Sequence, residues 1–152
     1  MIERAPDLII TVPGEVRPKA RARAAIRHIN GRTRITHHSD PQTAAYENAI
    51  KLFGATAMRK AGFREPIDTA CAVKVTATFT PPQSWSVKKR GRAIAGEIPH
   101  VVRPDLDNCA KAALDGCNTV VWSDDARIFE LTVAKQYGPQ EQLRIEVWRR
   151  GE

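Results

Sequence analysis

The chain has 152 residues, of which 42% are hydrophobic and 27% are charged, a composition ordinary for a globular protein that buries a core of its own. We therefore expect one domain spanning residues 1–152. No apolar run approaches the ~20 residues of a membrane span, and the N-terminus lacks an apolar signal core, which predicts a soluble, cytoplasmic protein with no membrane partner. The net charge of +7 favours an acidic partner such as nucleic acid, although many small basic proteins are merely well solvated.

The three cysteines, Cys71, Cys109 and Cys117, form no C-x-x-C pair and have no histidine at ligand spacing. Because three cysteines cannot all pair with one another, a disulfide framework is not indicated. We interpret them as small buried hydrophobic residues in a reducing compartment, not as zinc ligands.

The first half of the chain predicts a strand, a basic hairpin and a helix. Residues 7–12 are a β-branched run that Pro13-Gly14 ends, as expected for a strand. Asn30-Gly31 is a two-residue hairpin signal inside a basic segment that could follow a phosphate backbone or be a solvated loop. A helix is predicted from a Ser39 or Asp40 cap to Gly62. The cations of the basic segment are Lys19, Arg21, Arg23, Arg27, Arg32 and Arg34.

The second half predicts one further helix and three strands. Residues 71–79 alternate strictly between apolar and polar, which is typical of a half-buried strand. Residues 80–103 are a long connection in which Trp85 could stack on a base or anchor the loop to the core. A helix over about 105–117, with Asn118 as its stop, precedes strands over 126–136 and 143–149. The fold class predicted is α+β, a mixed or antiparallel sheet with two helices packed on one face.

The most informative stretch is acidic. Five of the eight aspartates lie between positions 105 and 125 of a basic chain: Asp105, Asp107, Asp115, Asp124 and Asp125. Carboxylates placed together repel one another unless a cation lies among them, although a helix cap and an Asp107–Lys111 pair would explain part of the pattern. We expect the helix N-terminus and the start of the next strand to meet at one sheet edge and to hold Mg²⁺. Asp105-Leu106-Asp107 begins like an EF-hand calcium loop, but such a loop needs glycine at its sixth position and glutamate at its twelfth. Here these positions hold Ala110 and Gly116, which excludes an EF-hand.

These residues resemble the signature of a known family. The run Arg103-Pro104-Asp105-Leu106-Asp107-Asn108, followed by Lys111, Asp115 and Trp122-Ser123-Asp124-Asp125, is similar to the motif of the RusA family of Holliday junction resolvases. The basic segment 17–23 and the loop around Trp85 also resemble those of family members, the loop those of the phage type. The likeness therefore covers most of the chain.

The resemblance implies a homodimeric, Mg²⁺-dependent endonuclease, with Mn²⁺ as a substitute and no organic cofactor, that nicks opposed strands of a four-way DNA junction in recombination and repair. Asp105, Asp107 and Asp125 match its essential metal-binding carboxylates, Asp124 a further acidic position that we count among the ligands, and Lys111 its catalytic lysine. DNA-binding positions are expected at Lys19, Arg21, Arg23, Lys88, Lys89, Arg90 and Arg103.

Two other functions remain open from the sequence. The chain could be a non-catalytic DNA-binding module whose aspartates only cap and pair. It could also be a metal-dependent nuclease acting on other branched nucleic acid, because one carboxylate cluster serves many phosphodiester substrates.

Overall fold

The protein is seen in a computed structural model that describes residues 3–19, 23–38 and 40–151. The predicted α+β class is confirmed. The elements are β1 (Leu8–Pro13), β2 (Arg23–Ile29), β3 (Arg32–His38), α1 (Pro41–Lys60), β4 (Cys71–Phe79), α2 (Val87–Ile94), α3 (Leu106–Cys117), β5 (Ile128–Tyr137) and β6 (Gln142–Arg149), with a short 3-10 turn at Asp125–Arg127 before β5.

A mixed four-stranded sheet has the strand order β1-β6-β4-β5, in which β4 and β5 run parallel and the other pairs antiparallel. A separate antiparallel pair is formed by β2 and β3.

The hairpin and first helix form as their sequences predict. Asn30 and Gly31 have φ values of 50° and 73°, the left-handed conformations that a two-residue turn between β2 and β3 requires. Asp40 caps α1 by accepting a hydrogen bond from the amide of Gln42, with Pro41 in the first turn. Ser39, the other predicted cap, lies outside the described residues.

The core lies between the sheet and the pair of helices α1 and α3. The inward side chains of β4, such as Val73 and Val75, are fully buried, as their alternation predicted. The two helices approach closely where a Cβ built on Gly116 would lie 2.5 Å from Cγ2 of Ile50. Only glycine fits this position without a shift of Ile50, so the spacing between α1 and α3 depends on Gly116.

The connection over residues 80–103 contains a helix that the sequence did not reveal. Ser86 caps α2 by accepting a hydrogen bond from the amide of Lys89 at 3.1 Å, and Ala93 is the one buried residue of the helix. α2 is only eight residues long and buries a single apolar side chain, so its sequence offers no repeated apolar spacing that would predict a helix. Trp85 packs edge-on against Tyr137 with ring centroids 5.5 Å apart, which supports its reading as an anchor for the loop.

The end of α3 differs in detail from the expectation. Asn118 is the C-cap residue, but its backbone is extended, with φ −58° and ψ 133°. The left-handed conformation is adopted by the next residue, Thr119, with φ 66°. Across the described ranges, no helix is long and apolar enough to cross a membrane.

Candidate functional site

The N-terminal end of α3 presents three charged side chains to solvent. Asp105 is the cap residue, yet its side chain makes no cap hydrogen bond, and Asp107 lies in the first turn. Both are exposed, as is Lys111 one turn further along. The helix dipole favours carboxylates at this end. The fold itself therefore makes little use of these groups, which leaves them available to a ligand.

Lys135 on β5 binds the backbone segment that immediately precedes α3. Its Nζ donates hydrogen bonds to the carbonyl oxygens of Val102, at 2.6 Å, and Pro104, at 2.8 Å. The ammonium thereby fixes the backbone immediately before Asp105. Lys135 had no role in the site predicted from the sequence. Its position between Val133 and Tyr137, on the inward side of an alternating strand, was the available signal.

The buried imidazole of His100 packs against two aromatic rings a few residues before the same segment. The ring of His100 stacks on Phe79 at 4.4 Å and contacts Tyr137 at 4.8 Å between centroids. Burial, together with the nearby Lys135 charge, lowers the pKa of His100, so the imidazole is neutral where it packs. Sequence reasoning gave His100 no role, because a lone histidine in a connection carries no periodic signal.

The second acidic pair lies at the other end of α3. Asp125 Oδ1 accepts a hydrogen bond of 2.7 Å from the indole Nε1 of the fully buried Trp122, and Asp124 Oδ1 accepts one of 2.8 Å from the amide of Ala126. Burial raises the pKa of Cys117, the last residue of α3, and the charge of Asp125 contributes to that rise. The start of β5 is thus adjacent to the C-terminal end of the helix.

The acidic residues consequently form two sets rather than one. Within the described ranges, no group of three or more histidine, cysteine, aspartate or glutamate side chains is close enough to hold a metal ion. The expectation that Asp105 and Asp107 meet Asp124 and Asp125 at one sheet edge is not met within a single chain. The physical reason is direction: α3 runs antiparallel to β5, so its first residue lies beside the far end of that strand, at Lys135.

Lys19 and Asp115 have a structural role in addition to their motif positions. The ammonium of Lys19 is hydrogen-bonded to the carboxylate of Asp115 and lies 3.0 Å from Glu47. The hydrogen bond with Asp115 raises the pKa of Lys19, with Glu47 contributing further. These contacts attach the segment before the hairpin to α3 and α1. Lys19 is therefore less available to DNA than the sequence suggested.

The remaining predicted DNA contacts are dispersed. Arg21 lies outside the described residues, and Arg23 is the first residue of β2. Lys89 lies over the Trp85 ring, 4.0 Å from its centroid, and Arg90 is half-buried. Three of these cations are exposed: Lys88 and Lys89 on α2 and Arg103 before α3. Arg103 also lines a cleft of about 590 Å³, together with Glu15, Val16, Pro18, Phe79, Pro104, Asp105, Asn108 and Glu141.

Comparison with known proteins shows the family of this chain. The family model for endodeoxyribonuclease RusA matches residues 13–148, nearly the whole chain. The chain is also 30% identical over 138 residues to the uncharacterized protein YqaN of Bacillus subtilis (strain 168), a match that covers 90% of this chain and 91% of that protein. The chain therefore belongs to the RusA family of endodeoxyribonucleases, hydrolases that act on DNA junctions. Nucleases of this family generally depend on a divalent metal ion.

Proposed function

We propose that this protein is a Mg²⁺-dependent, homodimeric endodeoxyribonuclease that resolves four-way DNA junctions by paired symmetric nicks in recombination and repair. The observation that carries the proposal is the exposed end of α3. There, Asp105, Asp107 and Lys111 occupy the motif positions of the family and face solvent.

The donor chemistry of this end fits a hard cation. Asp105 and Asp107 offer carboxylate oxygens only, the ligands that Mg²⁺ prefers, and both lie at the start of α3. The family resemblance also counts Asp125 and Asp124 among the ligands, although within one chain they lie at the other end of α3. When bound, the ion would lower the pKa of a water and offset the charge of the phosphate. Lys111 would contact a non-bridging oxygen of the scissile phosphate from the adjacent turn.

The basic hairpin would bind the arms of the junction. Arg32 and Arg34 on β3 are exposed, and the strand register places Arg27 directly opposite Arg34. Phosphate contacts from the exposed Arg32 and Arg34 would bind a polyanion along the hairpin. Contacts of this type read backbone shape rather than base sequence, as junction recognition requires.

The test is cleavage of a synthetic four-way junction beside a linear duplex of matched sequence, each with Mg²⁺ and with EDTA. We expect symmetric nicking of the junction alone, only with the metal, and none by Asp107→Asn. Glu65→Gln is the matched control, because Glu65 is an exposed carboxylate in the turn after α1. Binding without cutting under every condition would instead support the non-catalytic module, and equal cutting of other branched substrates would support the broader nuclease.

A further inference from the structure

The hairpin formed by β2 and β3 has two chemically different faces. Because successive residues of a strand point to opposite sides, Arg32 and Arg34 lie on one side of β3 and Ile35 lies on the other. The strand register pairs Ile35 with Ile26 across the hairpin. We call the side that carries these two residues the isoleucine face, and the side that carries Arg32 and Arg34 the arginine face.

The side chains of the isoleucine face are open to solvent. Ile26 and Ile35 are 66% and 64% exposed. Among the described residues, β2 and β3 form a sheet of their own that pairs with no strand of the main sheet. An isolated two-stranded hairpin is at best marginally stable in water, and two apolar side chains opposite one another form a single surface. A partner that covers this surface would therefore stabilise the hairpin.

The two faces together restrict the chemistry of that partner. It must be anionic where it meets Arg32 and Arg34, and apolar where it meets the isoleucine face. The net charge of +7 also favours a polyanion. DNA offers both properties, because phosphates line its outside and the flat faces of its bases are apolar. A continuous duplex hides those faces in the base stack, whereas a branch point interrupts the stack.

We propose that the isoleucine face packs against unstacked base pairs at the branch point of the DNA, while the arginine face binds the phosphates of the adjacent arm. The inference rests on the proposed function and names the feature of branched DNA that the protein recognises. A hairpin that enters the opening between two arms meets bases on one side and a phosphate backbone on the other, since its faces point in opposite directions. Apolar side chains, isoleucine among them, contact unstacked base steps in this way in DNA-bending proteins.

The two faces then have separable contributions to binding. Phosphates are present on linear and branched DNA alike, so the arginine face supplies affinity without selectivity. Unstacked base pairs are present only at a branch, so the isoleucine face supplies the preference for a junction. Substitutions on one face should therefore change a quantity that substitutions on the other face leave alone.

The decisive experiment measures binding without cleavage. Fluorescence anisotropy in EDTA compares a labelled four-way junction with a linear duplex of matched sequence. Threonine keeps the β-branched shape that favours a strand, so an Ile26→Thr/Ile35→Thr variant should retain the hairpin. Its affinity for the junction should fall about tenfold, with affinity for the duplex unchanged, because only apolar contact is lost. A variant that keeps the full junction preference would overturn the proposal.

Matched variants separate base contact from hairpin stability. Leu52→Thr is the control, because Leu52 is 66% exposed on α1, as Ile26 is on β2, and it should bind both DNAs as the wild type does. Ile26→Val/Ile35→Val keeps an apolar face and should keep most of the preference. A hairpin that unfolds would also lose the phosphate contacts of Arg32 and Arg34. Equal losses on junction and duplex in the threonine variant would therefore assign the isoleucines to hairpin stability and overturn the proposal.

A fluorescent base reports the contact directly. In a junction with 2-aminopurine at the branch point, binding of the wild type should raise the fluorescence, because unstacking relieves quenching by neighbouring bases. The threonine variant, at saturating concentration, should raise it less, and 2-aminopurine in the middle of an arm should not respond to either protein. A bound junction whose branch-point signal does not change would overturn the proposal.

Other partners of the isoleucine face, and failure of the proposed function, give different results. Sedimentation of the free protein that changes in the threonine variant would assign the face to a second copy of the chain. Binding of the wild type alone to phosphatidylglycerol vesicles would assign it to a lipid surface. Either result with an unchanged junction preference overturns this inference. If the wild type neither binds nor cuts junctions, the proposed function itself is wrong; if it cuts them and the threonine variant keeps the preference, only this inference is wrong.

Discussion

The two ends of α3 use aspartates in different ways. At the C-terminal end, Asp124 and Asp125 each accept a hydrogen bond, one from a backbone amide and one from a buried indole. At the N-terminal end, Asp105 makes no cap hydrogen bond and Asp107 is exposed. Removal of a carboxylate that accepts a hydrogen bond within the fold costs stability, whereas removal of one left to solvent costs little. Removal of each should therefore produce a different defect.

The largest effect is expected for Asp107→Asn. The change removes a charge with little change in volume, so junction cleavage should fall on the order of 10³-fold while the free energy of unfolding changes by less than about 0.5 kcal/mol. Single-turnover cleavage and urea unfolding measure the two quantities. If the variant instead unfolds at lower urea concentration with cleavage intact, Asp107 would have a structural role and not a catalytic one.

Lys111→Ala should slow cleavage by about 10²-fold, because the phosphate loses a charged donor while the carboxylates remain. Mn²⁺ affinity should be unchanged, which separates contact with the phosphate from a role in holding the metal. Lys111→Arg, which keeps the charge, is the control and should recover part of the rate. A loss of Mn²⁺ binding in Lys111→Ala would mean that the ammonium positions Asp107.

Stability distinguishes the two ends most directly. Asp125→Ala leaves the indole N–H of buried Trp122 without its acceptor, which should cost about 1–3 kcal/mol of unfolding free energy. Asp107→Ala, at the exposed end, should cost less than about 0.5 kcal/mol. Asp125→Asn retains an acceptor oxygen and should recover most of the stability without recovering cleavage. Equal stability losses at both ends, measured in urea, would contradict the comparison.

The smallest effect on stability is expected for Asp68, which lies near the C-terminal end of α3 and contacts Ser123 and Arg127. Its carboxylate accepts a hydrogen bond of 2.6 Å from the Ser123 hydroxyl and pairs with Arg127 at 3.1 Å, which together lower its pKa below the ordinary 3.8. A folded-state pKa below the unfolded value adds stability above pH ~3.8, and that stability is lost as the pH falls through the folded value. Unfolding midpoints of wild type and Asp68→Asn should therefore differ near neutral pH and converge in acid. A difference that persists in acid would assign the effect to packing.

Local sequence predicted the elements that depend on their own residues. The Asn30-Gly31 turn, the Asp40-Pro41 helix start and the alternation of β4 each follow from backbone and packing preferences that act over a few positions. Helix α2 escaped prediction because it buries little apolar surface, and His100 because its partners lie on distant strands. The predicted site roles of Asp105, Asp107, Lys111 and Asp125 remain predictions for the experiments above.

By itself, the sequence determined the α+β class, the position of α3 and, through the acidic motif, membership of the RusA family. Only the tertiary structure decided that α3 runs antiparallel to β5, with Asp105 beside Lys135 and Asp125 beside Cys117. Spacing along a chain does not fix the direction in which a helix lies across a sheet, because that direction is set by packing between distant elements, such as Gly116 against Ile50. The sequence motif therefore identifies the carboxylates, whereas the packing of α3 determines how far apart they lie within one chain.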